Sequence, residues 1–378
     1  MEIPYHAPFS GAFASQIWTY ASNLSPAMKF FSHMDKKSSE KGHYAAKAAR
    51  KILKERIKVA DQHHYIRADV KAFLDGLAAM GSPPISEISL EQARGGYLAL
   101  HAMGDRPARE LAVIRDLTCT GPAGQISLRL YDARETRDAG PVIVFYHGGG
   151  YVIGDLDSHH NLCTEIAAQM DLPVVAVDYR RAPEHPFPAA VDDSEAAARW
   201  IVGSPEALGR AATGLVVMGD SAGGNASIVT AQALAERPAA VPVVLQVPIF
   251  PLTTDYRDCG SLETFAEGFV LSKLAVEFFD RSYAPDPADK RAMPILGDIA
   301  ASPPTVLVTA SLDPIRDSGR AYGAALAAAG VDMTFLEMKG LTHSFTNLRQ
   351  VMPSAQGDLE RIFAAMKLML NANSGGAS

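Results

Sequence analysis

Cysteine is scarce in this chain of 378 residues, where Cys119, Cys163 and Cys259 are all there are. An odd number at wide spacing offers neither a disulfide framework nor the paired spacing of a zinc site, and points to a reducing cytoplasm. Long apolar runs are missing too: none approaches the ~18 residues of a membrane-spanning helix, so stable membrane insertion is not expected. The amino end, Met1 to Ser10, lacks a basic segment followed by an apolar stretch, which argues against a secretory leader. There is no excess of positive charge, since 35 Lys and Arg face 42 Asp and Glu for a net −7, and hence no general attraction for nucleic acid. Neither an internal repeat nor a phosphate-binding Gly-Lys-Ser/Thr motif occurs. The glycine run 148–150 lacks both the spacing and the later acid of a dinucleotide fingerprint.

What is present can build a large core. With 48% hydrophobic residues, the chain suffices for one domain with a lid or for two small domains. Its charge is uneven: residues 29–58 carry ten Lys/Arg against three Asp/Glu. Within that stretch Ala45, Ala49, Ile52, Leu53 and Ile57 fall near helical spacing. This reads as a helix laid on a cap with its lysines in water; a subunit contact and a membrane-surface patch are the alternatives.

From residue 113 the hydrophobic rhythm is that of an α/β sheet. Val113–Thr118 and Ile126–Tyr131 read as an antiparallel pair joined by a Gly-Pro-Ala-Gly turn. Strand-like runs follow at 141–146, 172–177, 214–218, 243–249, 304–310 and 333–338, with helical segments at 159–170, 187–203, 222–236 and 315–329 and a closing helix at 354–371. The expectation is an eight-stranded, mostly parallel sheet flanked by helices. Residues 251–300 interrupt the rhythm. There Leu271–Tyr283 forms an amphipathic helix whose apolar side carries Leu274, Phe278 and Phe279. Residues 1–110 and 251–300 are read as a mainly helical cap, and 111–250 and 301–378 as the core.

Chemistry concentrates in two strings. Gly219-Asp-Ser-Ala-Gly223 follows the strand-like 214–218 and leads into a helical pattern, the setting of a G-x-S-x-G nucleophile elbow. Glycine at 219 and 223 lets strand and helix close on each other. His147-Gly-Gly-Gly150 follows the run 141–146, and its loop suits the stabilisation of an oxyanion. Ser221 is then the nucleophile, with backbone donors expected from Gly149, Gly150 and Ala222. His147, Gly148 and Asp220 support that loop, His147 through a hydrogen bond.

A serine hydroxyl needs a base. In folds with this elbow the order is Ser, then Asp or Glu, then His, and of the 11 histidines only His343 lies beyond Ser221. Asp255, Asp258, Asp280, Asp298, Asp313, Asp317 and Glu337 compete for the acid. Asp313 lies just past the buried run 304–310, at the edge where open α/β sheets carry their sites, and is preferred; Asp317 reads as pairing on the next helix.

At these residues the chain resembles the hormone-sensitive lipase family, microbial carboxylesterases of the α/β-hydrolase fold, in the branch with Asp before the nucleophile. The blocks are His147-Gly-Gly-Gly-Tyr151, Asp178-Tyr-Arg-Arg-Ala-Pro-Glu-His-Pro-Phe-Pro-Ala189, Gly219-Asp-Ser-Ala-Gly-Gly224 and Asp313-Pro-Ile-Arg-Asp317, followed by His343. They span a match from residue 69 to 370, and the stretch ahead of it is extra relative to the family. The resemblance implies hydrolysis of small acyl esters with water, short chains over triglycerides, no cofactor, and a cap over the site. It also suggests a homodimer through the last strand.

Four residues are candidates for an acyl pocket: Phe269, Val270, Leu271 and Phe345. Arg180, Arg181 and Glu184 are expected in internal ion pairs, and Cys163 in the core. His159 and His160 point apart on a helix, with no acid or cysteine at ligand spacing, so no metal is expected. Amide, carbamate or lactone hydrolysis would share the same intermediate. A non-catalytic small-molecule receptor on this fold is the alternative of another class.

Overall fold

A computed structural model of the chain describes residues 64–374. The basic stretch 29–58, with the helix expected in it, lies outside the described residues.

Eight strands form one sheet in the order β1-β2-β4-β3-β5-β6-β7-β8. They are β1 Val113–Gly121, β2 Gly124–Asp132, β3 Gly140–Tyr146, β4 Val174–Asp178, β5 Ala212–Asp220, β6 Val243–Ile249, β7 Thr305–Leu312 and β8 Met333–Thr342. β1 and β2 form an antiparallel hairpin, and β2 joins β4 antiparallel. All later pairings are parallel.

The central strands β3, β5, β6 and β7 are buried along most of their length because both sheet faces are covered. Side chains alternate between two apolar layers. Ile143, Phe145, Val216, Met218, Val247 and Val308 enter the layer shared with α3 (His160–Met170) and α9 (Ala355–Ser374). Val142, Val144, Tyr146, Leu215 and Val217 enter the other, with α4 (Ala189–Val202) and α5 (Ala222–Glu236).

Strands extend past the apolar runs that announce them. β5 continues through Gly219 and Asp220, β7 through Ser311 and Leu312, and β8 through Lys339 to Thr342. Backbone pairing is indifferent to side-chain polarity once neighbouring strands are in place. β8 absorbs Gly340 at φ 77°, with the Gly340 N–H donating to Ser311 Oγ at 2.8 Å.

The segments read as a cap divide differently. α1 (Ala68–Met80) buries Val70, Phe73 and Leu74 in the layer that holds Leu341 and Phe363, so it is packed on the core. α2 (Leu90–Gly104) begins with a capping box of Ser89 and Gln92 and ends against Leu348, with the Gly104 carbonyl accepting from Gln350 and Val351. Between β6 and β7 lie α6 (Gly260–Thr264) and α7 (Lys273–Tyr283), and between β7 and β8 lies α8 (Arg316–Ala328). On α7 the buried residues are Val276 and Tyr283, whereas Leu274 is 45% exposed. Of the expected apolar side, Phe278 and Phe279 do pack inward, Phe279 over Gly150, while Leu274 turns outward because the helix packs across the glycine loop and the turn Ile85–Glu87.

Arg180 pairs with Asp193 and Glu184 with Arg94. Arg181 differs from expectation: it donates to the Gly154 carbonyl, because its segment folds over the glycine loop, which offers a backbone oxygen there. β8 ends the sheet, and Arg67 takes the carbonyls of Lys339 and Gly340. Among the described residues no helix is long and apolar enough to cross a membrane.

The β5–α5 junction sets a steric prediction. A Cβ at Gly223 would lie 1.9 Å from the Tyr146 carbonyl oxygen, whereas one at Gly357 in α9 meets nothing within 4 Å. Gly223→Ala is expected to lose at least about 1–3 kcal/mol in urea unfolding, while Gly357→Ala gains up to about 1 kcal/mol.

Candidate active site

Four segments of interest each begin where a strand ends. His147 follows β3, Ser221 follows β5, Asp313 follows β7 and His343 follows β8. Register makes them neighbours. Tyr146 pairs with Gly219 across β3 and β5, and Leu312 pairs with Thr342 across β7 and β8.

Ser221 has φ 55° and ψ −116°, a conformation that costs roughly 1–3 kcal/mol for a residue with a side chain. Tight surroundings hold it there. Its N–H donates to Ile249 O at 2.8 Å, and its carbonyl accepts from Asn225 N–H at 3.0 Å. A Cβ at Gly219 would sit 2.4 Å from the Gly223 carbonyl oxygen, so glycine is the residue that lets strand and helix approach this closely.

The hydroxyl so presented lies 2.9 Å from His343 Nε2, and His343 Nδ1 lies 2.7 Å from Asp313 Oδ2. Asp313 is fully buried, and its other oxygen accepts the Ile315 N–H at 2.9 Å. Two of its possible bonds therefore fix the carboxylate plane. The Phe250 ring packs 4.5 Å from the imidazole. Of the competing acids, Asp317 accepts the Ser261 N–H and pairs with Arg316, Asp255 and Asp280 share Arg257, and Glu337 pairs with Arg320. Asp298 caps a short turn by accepting from Ala301.

The glycine loop faces the same space. Gly149 and Gly150 adopt φ 111° and 62°, and a side chain at Gly150 would strike the Phe279 ring at 2.3 Å. The Gly149 carbonyl turns away to accept from Val152 and Ile153, and the Gly148 N–H donates to Asp220 Oδ1 at 2.9 Å. Gly149, Gly150, Ala222, Ser221 and His343 all border one cavity of about 850 Å³. His147 lies outside it: its Nδ1 is 2.8 Å from the Gly148 carbonyl, and its ring stacks on Tyr179 at 4.1 Å. Tyr179 donates to the His147 carbonyl at 2.5 Å.

Phe269, Val270 and Leu271 line the cavity. Phe345 does not; it is buried in the core, edge-on to Phe250 at 5.6 Å, because the turn after His343 directs it inward. The sequence reading missed the other wall, where Leu74, Leu77, Leu100 and Ile85 come from α1, α2 and the turn between them. It also missed Tyr179, Phe250, Tyr151 and Asn225, the last two joined by a 2.8 Å hydrogen bond. Tyr179 was within reach of pattern reading, since it sits in the Asp178–Ala189 block. His159 turns toward Asp220 while His160 meets Tyr131, so the adjacent histidines diverge. Among the described residues no cluster of His, Cys, Asp and Glu could hold a metal. The three cysteines are free and buried, and burial pushes the Cys119 thiol up to about 11.

The family described by the alpha/beta hydrolase fold matches residues 143–347. An ethyl acetate hydrolase of Pseudomonas putida is 36% identical over 316 residues, covering 80% of this chain and 98% of that protein. The carboxylic ester hydrolase LipN of Mycobacterium tuberculosis is 36% identical over 267 residues, or 68% and 71% of the two chains. Among solved structures, an α/β-hydrolase enzyme from the metagenome of Lake Arreo, Spain, aligns with TM-score 0.77 at 33% identity, covering 82% of this chain and 99% of that one. An esterase of Pyrobaculum calidifontis gives TM-score 0.73 at 30% identity, with 80% and 99% covered.

Buried histidines behind the loop predict an acid-sensitive fold. Burial, and then the nearby His159, lower His101 to about 3, and burial also lowers His147. Unfolded histidines bind protons from about pH 6.5 downward, whereas these two stay neutral in the fold. Stability is therefore complete above that pH and declines as the pH falls toward 3. The urea midpoint should drop between pH 7 and 4.5, and His101→Phe should show a shallower drop; equal slopes would contradict the assignment.

Proposed function

The chain belongs to the α/β-hydrolase fold family, and we propose that this carboxylesterase cleaves short-chain acyl esters through Ser221, His343 and Asp313 by way of an acyl-enzyme. The observation that carries the reading is the pair of contacts on one imidazole: 2.9 Å to the Ser221 hydroxyl and 2.7 Å to the Asp313 carboxylate.

His343 Nε2 takes the Ser221 proton as Oγ bonds to the acyl carbon, and the carbonyl electron pair moves onto oxygen. The backbone amides of Gly149, Gly150 and Ala222 receive that oxyanion, each donor contributing on the order of 3–4 kcal/mol to the transition state. Because Gly148 N–H is already engaged by Asp220, the amides after it are the ones left for substrate. Asp313 selects the tautomer with its hydrogen on Nδ1 and offsets the positive charge that develops on the ring. Collapse of the tetrahedral species breaks the ester C–O bond, and the alcohol departs with the proton from His343. Water then repeats the sequence on the acyl-enzyme and frees the acid.

The cavity supports a small neutral ester as substrate. Its lining is mostly apolar, with Phe269, Val270, Leu271 and Phe279 on the side of the cap segment. A relative whose name specifies ethyl acetate supports short acyl chains.

Ser221→Ala and His343→Ala should each lower kcat on p-nitrophenyl acetate by on the order of 10⁴–10⁶. Retention of more than about a hundredth of the wild-type rate by Ser221→Ala would remove Ser221 from the role of nucleophile. Activity should fall on acidification as the base takes up a proton; a flat profile from pH 8 to 5 with chemistry rate-limiting counts against it. Across p-nitrophenyl esters from acetate to palmitate, kcat/KM should peak among the short chains, and a maximum at palmitate would refute the acyl-length assignment.

A further inference from the structure

Asp220 joins the nucleophile's strand to the glycine loop, and its carboxylate has a second partner that plays no part in the proton transfers. His159, 1% exposed, stands just before α3, enclosed by the rings of His101 at 5.4 Å, His147 at 5.7 Å, Phe145 at 5.9 Å and Tyr97 at 6.1 Å. Its Nδ1 lies 3.0 Å from the Ser158 hydroxyl, which is fixed in turn by the N–H and C=O of Asp155, both at 2.9 Å. Its Nε2 lies 3.1 Å from Asp220 Oδ1. Nε2 also lies 3.4 Å from Asp220 Oδ2 and 3.3 Å from the Gly148 nitrogen; because an ionised carboxylate only accepts, it is the ring with a hydrogen on Nε2 that binds Asp220.

The same Oδ1 accepts the Gly148 N–H at 2.9 Å, while Oδ2 has Asn347 Nδ2 at the longer distance of 3.5 Å. Burial alone would raise the Asp220 carboxyl, but the electrostatic attraction and hydrogen bond of His159 hold it below the usual range. Without His159 this fully buried anion would keep the Gly148 amide and one long contact. A buried charge left so poorly paired either protonates or rotates toward other donors, and the Gly148 amide would move with it.

We propose that His159 is a positioning residue for ester cleavage: by locking Asp220 in the rotamer that binds the Gly148 amide, it sets the height at which the Gly149 and Gly150 amides meet the oxyanion. The inference rests on the Ser221–His343–Asp313 reading and adds a residue to it. Displacing catalytic groups by about 1 Å costs on the order of 100-fold in rate, which sets the scale of the effect.

The test compares His159→Leu, which donates nothing, with His159→Gln, whose amide N–H can reach Asp220. Competent sites are counted with a fluorophosphonate, which bonds phosphorus to Ser221 Oγ and releases fluoride, so rates are per working site. The oxyanion environment is read with a trifluoromethyl ketone: Ser221 Oγ adds to its carbonyl, the π pair becomes an alkoxide, and the proton passes to His343. Per site, His159→Leu should lose about 100-fold in kcat on p-nitrophenyl butyrate, with KM changed less than about twofold. Ketone affinity should fall in parallel while binding of the product alcohol is unchanged, and His159→Gln should recover about tenfold or more.

A per-site kcat for His159→Leu within about threefold of wild type, or no recovery in His159→Gln, overturns the proposal. Should His159→Leu fail to fold, Ser158→Ala releases Nδ1 instead; a drop in kcat and ketone affinity at constant KM supports the proposal, and unchanged values overturn it. Ser221→Ala run alongside separates the two levels. Activity in that variant defeats the functional reading itself, whereas an inactive Ser221→Ala beside a fully active His159→Leu defeats only the role of His159.

Discussion

The site depends on a backbone constraint at Ser221. A left-handed φ at a residue with a side chain is unfavourable by itself, and it persists because β5 and α5 meet without intervening side chains at Gly219 and Gly223. The close approach of Gly223 to the Tyr146 carbonyl ties the elbow to the end of β3, and hence to the glycine loop. Ser221 and the glycine loop are thus parts of one packed unit, supported by strands buried on both faces.

Asp220 extends that unit by electrostatics. A carboxylate with no exposure must be satisfied by fixed donors, and those it has come from the glycine loop, from His159 and, at longer range, from Asn347. The opposite arrangement holds at Asp313, where the buried carboxylate faces His343 and its own loop amide. One acid is bound by the glycine-loop amide and the other faces the His343 imidazole. Both are buried, so each interaction acts in surroundings of low polarity where water cannot replace it.

Much of this was legible in the chain. Ser221, His343 and Asp313 could be named because strand–turn–helix patterning, the order of residues and the single late histidine narrow the choice, and the structure brings the three together. All eight strands were visible as strand-like runs, the first two as an antiparallel pair. Their ends were not: β5, β7 and β8 continue through Gly219-Asp220, Ser311-Leu312 and Lys339–Thr342, where polarity signals a loop but pairing with a neighbour continues. Leu274, Arg181 and Phe345 departed from expectation for a related reason. Each was assigned from its local pattern, and each is oriented by something distant in sequence.

The sequence by itself determined the class of fold, the order Ser221, Asp313, His343 along the chain and the glycines that permit the elbow, because these follow from periodicity and backbone freedom over a few neighbouring residues. Tertiary structure alone decided which acids share a hydrogen bond with which histidines, that α1 and α2 supply one wall of the cavity, and that His159 rather than His160 faces Asp220. Buried polar groups take their partners from whatever packing brings within 3 Å, and chain neighbours carry no record of that.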